Sequence, residues 1–328
     1  MNTTSRRHGA LFGMFIGDAL AMPVHWYYDR SALRRDYGVV DAYLSPRNPH
    51  PDSILYRSSW RPVRPELDIR HEQARYWGTA GVHYHQFLAA GENTLNMKLA
   101  RQLLLLLERD TSYDASRWLA VMIEFLTSAG THKDTYLEEY LRHFFDNLGR
   151  GIEPERCGRS DEKHIGGFTQ LLPLYCGLAH PDEKLLLNHL ALTHGGQLMR
   201  TWGSLLVRIL NEIMAGSSVS SALAETVPDD APCSPKRLHG LSRFADEQVV
   251  GRHFSTACYV DDAVPAALYL ASRYEDDPRQ ALIANTMCGG DNCGRGVVIG
   301  ALLGARHGIE AWPASWRNGL LEPPPLLT

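Results

Sequence analysis

Six cysteines among 328 residues, at Cys157, Cys176, Cys233, Cys258, Cys288 and Cys293, include no C-x-x-C pair and no dense framework. A disulfide scaffold is thereby excluded, and reduced thiols in a cytoplasm are the expectation. Basic charge is not in excess. Lys and Arg number 33 against 37 Asp and Glu, a formal net charge of -4, which leaves no electrostatic footprint for nucleic acid or an anionic membrane. The conspicuous apolar run, residues 103–107, is far shorter than the ~20 residues a spanning helix needs. The opening MNTTSRRHG lacks the basic, apolar and cleavage regions of a secretory signal. Neither G-x-G-x-x-G nor G-x-x-x-x-G-K-[ST] occurs, and no strand-like alternation of useful length recurs. What remains is an all-α chain without an obvious linker.

Glycine, by contrast, is placed with a pattern. In CGGDNCGRGVVIGALLGARHG (288–308), Gly296, Gly300, Gly304 and Gly308 recur every fourth residue, one face of a helix ending with Arg306 and His307 in its last turn. The segment GALFGMFIGDAL (9–20) repeats the interval at Gly9, Gly13 and Gly17, and Pro23 closes it. Two such faces at opposite ends of the chain predict a close helix–helix crossing. Independent packing of each face on a different neighbour is the alternative. Asp291, Asn292 and Cys293 stand at the mouth of the second helix and are candidate functional residues.

Between 27 and 81 helical periodicity is lost. Pro46, Pro49, Pro51, Pro62 and Pro65 alternate with Tyr56, Trp60, Trp77, Arg57, Arg61 and Arg64. Proline blocks helix interiors while the aromatics demand a surface to pack on, so an ordered irregular insertion is predicted, a binding loop or a plain surface excursion. Next, Thr94 reads as an N-cap before the stripe Leu95, Leu99, Leu103 and Leu106, which puts Glu92 and Asn93 at a helix mouth. His83 and His85 flank Tyr84 and would share one side of an extended segment. Further helices are predicted at 116–128, 134–148, 183–192, 198–214 and 264–273, and weakly at 247–251.

Taken in order, GALFGMFIGDALAMP, GENTLNMKLA, HIGGFTQLLPL, LTHGGQL and CGGDNCGRGVVIGALLGARHG resemble the ADP-ribosylglycohydrolase superfamily, which includes the crystallin J1 branch. The resemblance spans nearly the whole chain. It implies a single all-α domain over 1–328, a multi-helix bundle with an active-site cleft at helix ends. It also implies hydrolysis of the bond between ADP-ribose and a side chain or small acceptor, assisted by two magnesium ions. The motifs depart from that pattern. Where members carry Thr/Ser-Asp-Asp-Thr, this chain has Gly91, Glu92, Asn93 and Thr94. Where they carry Gly-Gly-Asp-Thr-Asp-Thr, it has Gly289, Gly290, Asp291, Asn292, Cys293 and Gly294. Magnesium requires oxygen donors in near-octahedral array, so the loss of carboxylates and hydroxyls argues against a di-magnesium centre. One magnesium ion held by Glu92 and Asp291, or none, is the expectation.

Glycoside cleavage passes through an oxocarbenium-like state that carboxylates serve, which casts Glu92 and Asp291 as catalytic residues. Asn93, Thr94, Asn292, Cys293, Arg295, His83 and His85 would bind the substrate, a small sugar or nucleotide conjugate. Arg295 in a helix's first turn opposes the dipole, as an anionic ligand would explain. The expected function is hydrolysis of an ADP-ribosyl, ribosyl or related N- or O-glycoside conjugate. Two alternatives stand beside it. One is a catalytically inactive ligand-binding or structural protein, and the other a soft-metal site using Cys293, His83 and His85. For Cys293 a small buried thiol among glycines is the plainer reading.

Overall fold

The computed structural model describes residues 1–110 and 112–326. At its centre α1 (Thr3–Ala21) crosses a helix formed by Asn292–His307 in direct backbone contact. Gly9 faces Gly304, Gly13 faces Gly300 and Gly17 faces Gly296, an antiparallel register in which a methyl group at any of the six would overlap the opposing backbone. Arg6, buried at the edge of the crossing, donates to the carbonyls of Ala305 (2.9 Å) and Arg306 (3.1 Å) and so closes the C-terminal end of the partner. The predicted crossing is therefore the axis of the fold.

The remaining helices surround this pair: α2 (Arg30–Tyr37), α3 (Leu95–Asp110), α4 (Ala115–Thr127), α5 (Glu139–Gly149), α6 (Phe168–Gly177), α7 (Glu183–Ala191), α8 (Gln197–Ala215), α9 (Val219–Thr226), α10 (Pro235–Leu241), α11 (Asp246–Gln248), α12 (Val260–Arg273) and α13 (Pro278–Cys288). The Asn292–His307 helix is α14, and α15 (Ala314–Gly319) follows. No strand occurs among the described residues, and none of their helices is long and apolar enough to cross a membrane. All six cysteines are free.

The irregular insertion is packed rather than loose. Tyr27, Val40, Leu55 and Ile69 are fully buried, and α2 lies within it, capped by Asp29. Sequence periodicity missed α2, α6, α9, α10, α13 and α15, although α13 carries an Asp277 N-cap and Pro278 at its first position. A second difference bears on function. The segment expected to be helical from 134 stays extended through Glu138, because the Thr135 and Tyr136 N–H groups donate to the Tyr84 carbonyl (3.0 and 3.2 Å) instead of to their own chain. Three polar or aromatic side chains, Asp134, Tyr136 and Glu138, thereby leave the helix surface.

Candidate functional site

The C-terminal end of α1 organises the region where the two motif loops meet. The Asp18 carboxylate accepts from the Asn93 amide (2.8 Å), the Thr94 N–H (2.8 Å) and the Thr94 hydroxyl (2.7 Å), while the Cys293 thiol donates to the Asp18 carbonyl (3.5 Å). Burial pushes the Asp18 carboxyl up, and these donors partly counter it. Thr94 therefore turns its hydroxyl to α1 and not to the first turn of α3.

Beyond Asp18 runs a chain of four buried titratable groups. Asp291 Oδ1 meets His25 Nε2 (3.2 Å), His25 Nδ1 meets His85 Nε2 (2.8 Å), and His85 Nδ1 meets Asp134 Oδ1 (2.5 Å). Three hydrogen bonds need three protons, whereas two neutral imidazoles bring two. Burial lowers His25 to about 4 against the opposing pull of Asp291, so that ring is neutral. Burial also acts on Asp291 in the raising direction, but the His25 hydrogen bond, the buried Arg295 charge and the Gly294 N–H outweigh it and hold this carboxyl below its usual range. Asp134 Oδ2 has no hydrogen-bond partner.

This chain borders a small recess that adjoins a larger cleft of about 490 Å³, and the two share Trp26, Tyr136 and Glu138. Trp26 stacks on His25 (centroids 3.8 Å apart) and meets Tyr84 and Tyr136 edge-on at 4.7 and 5.3 Å. Its φ of 62° is left-handed, a conformation that a bulky residue holds only under constraint. The constraint is visible: its N–H donates to the Gly290 carbonyl (2.8 Å), and Gly290 donates back to the Tyr27 carbonyl (2.6 Å). Glu138 Oε1 accepts from the Asn96 amide (2.5 Å), and Asn96 in turn accepts from the Tyr140 hydroxyl (2.7 Å). Burial, followed by the charge of Asp291, raises the Glu138 carboxyl to about 7. Across the cleft, His164 pairs with buried Glu162 and stacks on Tyr259 (5.2 Å). Burial alone would lower this imidazole, but its contacts with Cys258 and Glu162 push it up to about 11.

The arrangement thus offers a proton-exchanging carboxyl, a buried imidazole–carboxylate chain and aromatic walls. A family model described as ADP-ribosylglycohydrolase matches residues 1–327. The chain belongs to the ADP-ribosylglycohydrolase family. Among solved structures, a chain described as an ADP-ribosylglycohydrolase-related protein complex shares the fold. Its TM-score is 0.67 at 19% identity, with 97% of this chain and 93% of that one covered. No curated protein matches the sequence.

For an ADP-ribosylglycohydrolase the motif residues are put to unexpected use. Glu92 Oε1 binds the Lys98 ammonium (2.8 Å) and its Oε2 accepts from the Ala89 N–H (2.9 Å), while Lys98 also pairs with Glu322 (2.8 Å). Glu92 lines neither the recess nor the cleft. Both Glu92 oxygens are thus engaged and a lysine supplies its counter-charge, which leaves no free oxygen for the expected role of acid or base. Asp291 does join the site, but through His25. Of the expected binding residues, His85 and Thr94 line the recess, whereas the others are held in hydrogen bonds within the protein. His83 Nε2 donates to the Pro23 carbonyl (3.0 Å), and the Asn292 amide donates to the carbonyls of Thr286 (3.0 Å) and Val24 (3.4 Å). Asn93 also ties to the Phe15 carbonyl (2.8 Å). Arg295 is fully buried, donating to Asn285 Oδ1 (3.1 Å) and to the Gly289 and Thr256 carbonyls, so backbone carbonyls and not an anionic ligand offset its placement.

Nor do these residues fit the magnesium ions of the family. Glu92 is paired with the Lys98 ammonium, Asn93 presents its amide nitrogen to Asp18, and burial pushes the Cys293 thiol up and so favours its protonated form. Among the described residues no group of three or more His, Cys, Asp or Glu side chains could hold a metal ion. Glu92→Gln is therefore expected to keep turnover within a few-fold of wild type. It should destabilise the fold by ~1–3 kcal/mol, because Lys98 loses a buried partner. Denaturation midpoints read beside initial rates check both halves.

Proposed function

We propose that this protein hydrolyses a ribosyl-type N- or O-glycoside, an ADP-ribosyl, ribosyl or related conjugate, with Glu138 as the proton-exchanging group. The observation carrying the proposal is the position of Glu138, half-buried where recess and cleft meet and oriented by Asn96. Protonated Glu138 gives its proton to the leaving atom as the glycosidic bond breaks. Water from the recess adds to the sugar carbon, and its proton passes to Asp134, whose free Oδ2 is backed by His85, His25 and Asp291. The two carboxyls divide acid and base work as glycoside cleavage requires.

The test is a panel of N- and O-ribosyl and ADP-ribosyl conjugates, assayed for released sugar with wild type, Glu138→Gln and Glu92→Gln. Release by wild type and Glu92→Gln but not by Glu138→Gln is expected. No release from any conjugate would favour the inactive ligand-binding reading, and equal release by Glu138→Gln would remove Glu138 from its role.

A further inference from the structure

We propose that the main cleft recognises a phosphate-free ligand carrying one fixed positive charge, of the pyridinium or alkylammonium kind, in preference to ADP-ribose. This concerns which ligands the cleft binds and rests on the cleft being where substrate binds; where the charge is an N-glycosyl pyridinium, the ring leaves as a neutral base and takes no proton from Glu138.

Charge is the first observation. No lysine or arginine lines the cleft among the described residues, whereas Asp52, Glu138 and Glu139 do. Glu139 is tied to Arg159 (2.6 Å), and the His164 imidazole is matched by Glu162. Asp52 has no salt bridge among the described residues and is the cleft's uncompensated charge, whereas Glu138 faces the His164 imidazole and Asp291, behind the cleft, is offset by buried Arg295. A diphosphate normally finds arginines, lysines or an open helix N-terminus. Both helices whose N-caps line this cleft already carry acids there. Glu138 caps α5, which continues with Glu139, and Tyr259 precedes Asp261 and Asp262 in α12. Each helix dipole is thus already met by carboxylates, and a phosphate would add to them.

Shape is the second observation. Trp26, Tyr84 and Tyr136 pack edge-to-face on one another at 72–88° with centroids 4.7–5.3 Å apart, so one side of the cleft is a rigid aromatic cluster. Ring faces attract organic cations, most strongly where water is excluded. Trp26 is held in this cluster by a strained backbone, so the geometry is imposed before ligand arrives. Tyr28 and Tyr259, both exposed, extend the aromatic surface at the rim. Two protein cations already use this chemistry from outside the lining, Arg142 over Tyr136 (5.7 Å) and Lys163 over Tyr259 (4.7 Å). At about 490 Å³ the cleft takes a nucleoside-sized molecule.

The experiment is calorimetric titration of the full chain with three probes: 1-ribosylnicotinamide, which is a pyridinium; benzamide riboside, its neutral isostere; and ADP-ribose. The pyridinium should bind about tenfold tighter than the isostere, the range a desolvated cation–ring contact provides, and tighter than ADP-ribose. Asp52→Asn should erode that preference without weakening the isostere, since Asn retains the acceptor for the Tyr28 and Asp29 N–H groups. Tighter binding of ADP-ribose, or equal binding of pyridinium and isostere, would overturn the inference. Release assays run on the same preparation separate the two proposals. Cation-selective binding without sugar release from any conjugate removes the hydrolytic reading alone. Release that favours phosphorylated conjugates removes this one alone.

Discussion

Replacing Glu138 with Gln should lower kcat by ~10²–10⁴-fold, the usual worth of a positioned acid–base group, while ligand affinity and fold persist. Gln preserves the volume and can still meet Asn96, but it holds no exchangeable proton. The pH dependence gives a second readout. Glu138 is raised to about 7 by burial and then by Asp291, so as an acid it is competent below that value. The wild-type rate should fall as pH rises through about 7, and this limb should vanish from the residual activity of the variant. Stability moves with the same proton. A carboxyl whose folded pKa lies above its unfolded value contributes stability fully below the unfolded value, and that contribution is lost as pH climbs through about 7. Glu138→Gln is neutral throughout. It should therefore match wild type near pH 4 and exceed it at pH 8, by at most roughly 3 kcal/mol, the whole shift. Urea midpoints at the two pH values measure the difference. A rate that survives the substitution, with its high-pH limb intact, would place the acid elsewhere.

The fold was legible because its axis is written in a residue with no side chain. Gly9, Gly13 and Gly17 against Gly296, Gly300 and Gly304 announce a backbone contact whatever surrounds them, and that contact is present. The site was less legible because its chemistry left the motifs that carry the family resemblance. Glu92, Asn93, Cys293 and Arg295 occupy family positions, yet their polar atoms are engaged by Lys98, Asp18 and buried carbonyls. Asp134, Tyr136 and Glu138 sit where apolar spacing favours a helix, and only tertiary bonds to Tyr84 unwind that stretch. One signal was available. Paired acids in DTYLEE just ahead of an apolar stripe mark a helix N-terminus, where side chains face whatever lies beyond the helix. His25 and Trp26, two and three residues past Pro23, carried no periodic signal, because their placement depends on Gly290 some 260 residues away.

The largest effect on stability should come from the glycine crossing. A Cβ at Gly300 would overlap the carbonyl of Gly13 and crowd the Met14 nitrogen, and these are backbone atoms held within α1 by its own hydrogen bonds. Flexible side chains can turn away from an added methyl, and overpacking then costs ~1–3 kcal/mol. Here whole helices must separate, and the opposing pairs Gly9–Gly304 and Gly17–Gly296 would lose contact with them. Gly300→Ala is therefore expected to cost at least ~3 kcal/mol, a large part of the ~5–15 kcal/mol that holds a typical domain folded. Gly300→Leu should yield no folded protein. Intrinsic helix propensity acts in the opposite direction, since Ala is favoured over Gly by ~0.5–1 kcal/mol within a helix. Gly240 in α10 isolates that contribution, because nothing lies within 4 Å of a Cβ placed there. Gly240→Ala should thus be neutral or stabilising in the same denaturation assay. If Gly300→Ala unfolded at the same urea concentration as Gly240→Ala, the two helices could not be in the backbone contact described, and the fold's axis would have to be redrawn.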